Sequence, residues 1–212
     1  MAPPPPALRS PIRRLGVTDV SRVAVFAALV AVLGLPGGFT IVSSVPITAQ
    51  TLGVMLAGAI LGPWLGALSV TVLLALVAVG LPLLAGGRGG VGVFVGPSAG
   101  FLLGWIVGAI VIGLIVHAGA RKPRLWRTFV GVLTGGILTI YAVGIPVQSA
   151  VTRLPLAETA LTSLVFVPGD LMKAVIATGI VMTLVRAYPR GFRRVWPAKS
   201  AKGAEPDRAA VE

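Results

Sequence analysis

The sequence predicts an all-α integral membrane bundle of six transmembrane helices with short irregular outer loops. Three observations predict it. Of 212 residues, 56% are hydrophobic and only 11% charged, against about 25% charged in an ordinary soluble domain. No charged residue occurs between Arg22 and Arg88, a stretch far longer than the roughly 20 apolar residues one membrane helix needs. The 18 Lys and Arg outweigh 6 Asp and Glu and gather mainly in three clusters. These are Arg9, Arg13, Arg14 and Arg22; then Arg121, Lys122, Arg124 and Arg127; then Arg186, Arg190, Arg193, Arg194, Lys199, Lys202 and Arg208.

By the positive-inside bias all three clusters lie in the cytoplasm, so an even number of crossings separates each neighbouring pair. Hydropathy supplies four and then two. The expected spans are 22–36, 47–62, 64–84 and 97–118, followed after the middle basic loop by 127–148 and 168–187. The membrane domain then occupies 22–190, between a cytoplasmic N-terminal tail at 1–21 and a disordered cytoplasmic C-terminal tail at 191–212. Both termini are inside. Pro3 to Pro6 cannot sit within a helix, and Lys199 to Glu212 is polar, Ala-rich and aperiodic. The first span is expected to be retained, because Pro36-Gly37-Gly38 stands where a signal peptide would carry a small-x-small cleavage site.

Composition also excludes. With no cysteine there is no disulfide scaffold. The net charge of +12 attracts phosphate in general, but the positives sit where topology alone puts them, so the reading is anionic membrane lipids at the cytoplasmic surface and no nucleic acid. No G-x-x-x-x-G-K-[ST] occurs, so ATP hydrolysis by a P-loop is not expected of this chain. His117 is the only histidine and acids are not clustered, so no metal site and no cofactor are expected. A nucleophile–base pair is missing as well, and an enzyme is not expected.

Gly 28 and Pro 17 are many for regular helices, and the breakers cluster: Pro36-Gly37-Gly38, Pro46, Gly62-Pro63, Pro82, Gly86-Gly87-Arg88-Gly89-Gly90, Gly96-Pro97 and Pro168-Gly169. Irregular backbone at membrane depth is tolerated only where protein or a polar cavity satisfies it. Several of these breaks fall on the outer side, which is where a pocket is expected. The Gly-Pro-x-x-Gly echo at Gly62-Pro63 and Gly96-Pro97 reads as two helix starts, since Pro suits the first helical position. In the first span Ala24, Ala27, Ala28 and Ala31 recur at i, i+3, i+4 and i+7. Such a small-residue face serves close packing, either within the bundle or against another membrane protein docking at Ala24 and Ala28.

Polar residues that topology leaves unexplained are few. Arg153 and Glu158 fit a solvated outer loop. Asp170 and Lys173 are three apart after Pro168-Gly169, so they share a helix face and are expensive in hydrocarbon unless paired. They read either as a helix-start acid neutralised by its lysine or as the polar end of a ligand pocket. Arg88, flanked by four glycines, meets lipid phosphate in one reading and clamps a carboxylate in the other. Thr48 suits the N-cap of the second span, with Gln50 and Thr51 in its first turn. Tyr141, mid-span, offers a ring to pack and a hydroxyl to point inward.

In this order, Pro46-Ile47-Thr48-x-Gln50-Thr51-Leu52-Gly53, the Gly86 to Gly90 segment with Gly96-Pro97, Tyr141 with Gly144-Ile145-Pro146, and Pro168-x-Asp170-Leu171-x-Lys173 resemble the BioY family, the biotin-binding S components of energy-coupling factor (ECF) transporters. The resemblance covers roughly residues 20 to 187. It implies high-affinity capture of biotin near the outer face of the cell membrane. Implied partners are a transmembrane coupling subunit and two cytoplasmic ATPases of an ECF module, with Ala24 and Ala28 on the docking face. It further implies a substrate site drawn from Thr48, Gln50, Arg88, Tyr141, Asp170 and Lys173, with biotin a transported ligand and not a cofactor. Asp170 and Lys173, with Gln50 or Thr48, then address one polar end of biotin and Arg88 the other, without a fixed orientation. Two departures stand out. Gly96-Pro97-Ser98-Ala99-Gly100-Phe101 replaces a common Gly-Pro-Thr-Gly-Gly-Tyr, and Val147-Gln148 follow Pro146 where the family often has an aromatic. The rivals are an S component for another vitamin, such as riboflavin or thiamine, and a stand-alone small-solute facilitator.

Overall fold

The structure, a computed structural model, describes residues 15–37, 48–118 and 123–188. Expectations for residues 1–14 and 189–212, for Gly38 and Pro46-Ile47, and for Arg121 and Lys122 lie outside the described residues. Within them every regular element is helical. The elements are α1 (Val17–Val32), α2 (Gln50–Leu61), α3 (Pro63–Ala78), α4 (Ala99–His117), α5 (Leu125–Leu133), α6 (Ile140–Thr152), α7 (Leu156–Ser163) and α8 (Val167–Ala187). A π-turn at Thr134–Thr139 makes α5 and α6 one helical rod, and a 3-10 step at Leu164–Phe166 does the same for α7 and α8.

The described helices therefore form six rods, of which three are long and apolar enough to cross a membrane: Ala99–His117, Leu125–Thr152 and Leu156–Ala187. The others are shorter. At 1.5 Å per residue, the 12 residues of α2 span about 18 Å, less than the ~30 Å hydrocarbon core. α2 tolerates this because Gln50 and Leu61 at its ends, as well as Gly53 to Ala59 between them, are buried in protein. α2 and α4 form the centre, with α1 and α3 packed on one side and α5, α6 and α8 on the other.

Rod ends follow local chemistry. The Asp19 carboxylate accepts the Gly16 N–H at 3.4 Å, so α1 begins at Val17, ahead of the expected residue 22. Pro63 opens α3 after Gly62, whose φ of 85° is open to glycine and costly for other residues. The expected third span to residue 84 is corrected: α3 stops at Ala78. Gly80 at φ 112° and Pro82 turn the chain back, and residues 81–90 form a hairpin closed by Leu84 and Arg88. Leu84 N–H donates to the Arg88 carbonyl at 3.0 Å and Arg88 N–H to that of Leu84 at 3.2 Å. Gly86 and Gly87, at φ 76° and 70°, occupy its tip. The outer loop around Arg153 and Glu158 is shorter than expected. Arg153 lies in the exposed turn after α6, with φ 58°, whereas Glu158 lies in the first turn of α7.

Packing relies on small residues. A methyl at Gly108 would lie 2.6 Å from the Gly135 carbonyl oxygen, and one at Gly135 would lie 2.6 Å from that of Gly108. α4 and the π-turn thus approach backbone to backbone, the arrangement small residues permit in lipid. Ala27 is buried, whereas Ala24 and Ala28 are exposed and Ala31 half-buried. The expected four-alanine face is therefore split between bundle interior and surface. Arg22, Arg124, Arg127 and Arg186 share one end of the bundle with the α2–α3 turn, where His117 Nε2 stands 3.2 Å from the Ala59 carbonyl oxygen. The hairpin, α7 and the start of α8 occupy the other end.

Candidate functional site

Between the N-terminal ends of α2, α4 and α8 and the middle of the α5–α6 rod lies a cavity of about 590 Å³, counted to its open mouth. Thr48, Gln50, Arg88, Tyr141, Asp170 and Lys173 all line it. The same wall includes Thr51 and Ser98, and its apolar part is built from Phe101, Trp105, Phe166, Leu84, Leu102 and Ile140.

Asp170 is the hub of the polar end. Its Oδ1 accepts from Lys173 Nζ at 2.8 Å and from Thr51 Oγ1 at 3.4 Å, and its Oδ2 accepts from the Tyr141 hydroxyl at 2.7 Å. Lys173 Nζ also donates to Thr51 Oγ1 at 3.0 Å. The lysine side chain is 15% and the carboxylate 6% exposed, a burial that a charge accepts only when paired and hydrogen-bonded. Of the roughly four lone-pair sites on a carboxylate, three are engaged. Among the described residues the cluster therefore keeps one free acceptor site on Asp170 Oδ2 and one free proton on Lys173.

Arg88 stands on the wall formed by the hairpin. Its Nε donates to the Ala85 carbonyl at 3.2 Å and its Nη1 to Ser98 Oγ at 3.3 Å. Of five guanidinium N–H groups, three have no partner among the described residues and remain for a ligand, and the same holds for the Ser98 hydroxyl proton. Partial burial lowers the Arg88 pKa, although a guanidinium stays charged in protein. Among the described residues Arg88, Lys173 and Asp170 are the charged members of the wall, so it carries an excess of one positive charge. That balance suits a ligand with one negative charge.

The remaining expected residues divide. The N-cap expected at Thr48 is corrected: the N-cap position falls on Ala49, and Thr48, one residue earlier, accepts the Gln50 N–H on its Oγ1 at 3.3 Å. Gln50 is buried, and its amide is committed to backbone groups of α1 and of the hairpin. Tyr141 packs edge-on against Phe101, with ring centroids 6.1 Å apart, and Phe101 in turn against Phe166 at 6.4 Å. Sequence reasoning placed Thr51 in the first turn of α2 but did not assign it to the site. The hint was its position next to Gln50 at the start of α2. Ser98 and the aromatic wall gave no signal of their own, because aromatic residues in an apolar helix read as lipid-facing or core alike.

A sequence model of the BioY family matches residues 8–190. The chain is 47% identical over 179 residues to the "Biotin transporter BioY" of Rhodobacter capsulatus, covering 80% of this chain and 94% of that protein. It is likewise 47% identical over 174 residues to the "Probable biotin transporter BioY" of Bacillus subtilis, covering 82% and 93%. Its fold matches the crystal structure of the S-component for biotin from an ECF-type ABC transporter with a TM-score of 0.75 at 35% identity, over 80% of this chain and 92% of that one. With a family match that spans its helical region and relatives of this similarity, the chain belongs to the BioY family.

Proposed function

We propose that this protein captures biotin and mediates its uptake across the cell membrane as the substrate-binding S component of an ECF-type transporter. The observation that carries the reading is the cavity with Asp170, Lys173, Tyr141 and Thr51 at one end, Arg88 and Ser98 at another part of the wall, and aromatic and aliphatic side chains between. Biotin has complementary chemistry: a ureido ring with two N–H donors and one carbonyl, an apolar sulfur ring and a carboxylate. The free acceptor on Asp170 and the free proton on Lys173 suit the ureido group. The spare guanidinium protons of Arg88, with the Ser98 hydroxyl, suit the carboxylate. Thr48 supplies a further hydroxyl proton at the rim. Similarity to biotin transporters and to a biotin S component supports the same ligand.

Six crossings with both termini cytoplasmic are supported by the positive-inside bias, since Arg22, Arg124, Arg127 and Arg186 lie at the end away from the cavity. The cavity then opens outward. Energy comes from other chains, a transmembrane coupling subunit and two cytoplasmic ATPases, with α1 docking through Ala24 and Ala28. Anionic lipids meet the basic end. The chain transports and does not catalyse.

Equilibrium titration of labelled biotin into detergent-solubilised protein tests the reading, with unlabelled riboflavin and thiamine as competitors. Saturable one-to-one binding that only biotin displaces supports it. Displacement by another vitamin, or equilibration of biotin across liposomes without tight binding, overturns it.

A further inference from the structure

Gln50 begins α2 on the cavity wall and is 1% exposed. Its Nε2 donates to the Val30 carbonyl at 3.2 Å and to the Leu83 carbonyl at 3.1 Å, and its Oε1 accepts the Ala85 N–H at 3.1 Å. The orientation of an amide must be argued from its network, and here only one orientation works. Reversed, the NH2 group would face an N–H and the oxygen would face two carbonyl oxygens. Both amide protons are therefore spent on backbone. A methyl at Gly34 would lie 2.8 Å from Gln50 Nε2, so the amide is enclosed from that side too.

The three bonds join segments that nothing local would join. Val30 lies in the last turn of α1, where carbonyls lack intrahelical donors. Leu83 and Ala85 belong to the hairpin, and the Ala85 carbonyl accepts Arg88 Nε at 3.2 Å. Arg88 continues to Ser98 at the start of α4. A hairpin with glycine at its tip has much backbone freedom to lose on ordering. Gln50 supplies the fixed point against which that freedom is lost.

We infer that Gln50 is a positioning residue for ligand capture: it fixes Leu83 and Ala85, and through them holds the Arg88 guanidinium at the cavity wall, without touching the ligand itself. This rests on the biotin reading for the identity of the ligand and on geometry for the rest.

The test uses the full chain in detergent and the variants Gln50→Leu, Arg88→Ala and their combination. Coupled residues give non-additive effects. Gln50→Leu is expected to weaken binding of labelled biotin about tenfold or more when Arg88 is present, and less than about threefold when Arg88 is already alanine. Trypsin supplies a readout without ligand. Cleavage after Arg88 is expected to speed up about fivefold or more relative to cleavage after the exposed Arg153, as a released segment opens more often. An equal fold-loss of binding in both backgrounds, or an unchanged cleavage ratio, overturns the inference. If Gln50→Leu fails to fold, Gln50→Glu keeps the shape and the Ala85 bond but sets an oxygen against two carbonyls, and the same two criteria apply. Wild-type protein that does not bind biotin overturns the biotin reading alone, and the cleavage ratio still decides the role of Gln50.

Discussion

The Tyr141 hydroxyl donates to Asp170 Oδ2 at 2.7 Å while its ring meets Phe101 edge-on. One side chain thus orients the carboxylate and completes the apolar wall. Tyr141→Phe separates these roles by removing the hydroxyl alone. Hydrogen bonds to charged groups contribute about 1.5–3 kcal/mol, so unfolding stability should fall by about that amount and biotin affinity by about tenfold or more. Thermal unfolding and a labelled-biotin titration measure both. Wild-type affinity in this variant would mean that Asp170 is held in place without Tyr141.

Asp170→Ala removes the partner of the buried Lys173 ammonium and leaves Thr51 and Tyr141 without their acceptor. Breaking a buried pair from one side costs about 3–5 kcal/mol, because the other charge stays behind. The single variant should therefore lose most of its thermal stability and all measurable biotin binding. Combining it with Lys173→Met should recover stability in part, since no orphan charge remains, yet recover no binding. A double variant that binds biotin would remove both residues from the site.

The pairing of Asp170 with Lys173 was legible in the sequence, because a separation of three on a helix fixes their proximity without knowledge of the fold. Membrane embedding was legible for a similar reason: the charge-free stretch from Arg22 to Arg88 leaves no alternative. Tyr141 and Asp170 meet across helices, and that meeting depends on how the α5–α6 rod passes α8. The π-turn at Thr134–Thr139 shifts the rotation of Tyr141 about its helix, and no periodicity announces it. Gln50 stood in a recognisable motif, but its partners are backbone atoms of Val30, Leu83 and Ala85, which carry no side-chain signature. The ends of α3 and the existence of α7 were misread because hydropathy continues smoothly through Val79 and Leu81, and because Glu158 resembles a surface loop residue until Pro155 is seen to open a helix.

Arg88 offers its free N–H groups beside the Ser98 hydroxyl, an arrangement suited to a carboxylate. Biotin and its uncharged amide distinguish that role from general packing. Arg88→Ala should weaken biotin binding by about 10–100-fold, on the scale of a lost charge-assisted pair, and should alter binding of the amide by less than about threefold. Arg88→Lys should recover only part of the loss, since an ammonium cannot reproduce the planar fork. An equal penalty on both ligands would place the biotin carboxylate elsewhere.

Ala24 and Ala28 lie one turn apart on the outward side of α1, while Ala27 and Val30 face the bundle. A surface that only met lipid would accept a larger side chain at little cost, since lipid tails are as apolar as leucine. A surface that met another helix closely would not, because the backbones could no longer approach. Ala28→Phe, alone and with Ala24→Phe, therefore isolates the docking role. Both variants should bind biotin as wild type and unfold within about 0.5 kcal/mol of it, the usual range for exposed positions. They should fail to co-purify with a coupling subunit and its ATPases, and should lose energised biotin uptake in membrane vesicles. Full assembly and uptake by the double variant would move the docking surface off this face of α1, whereas loss of biotin binding would show that α1 supports the cavity through these residues as well as through Val30.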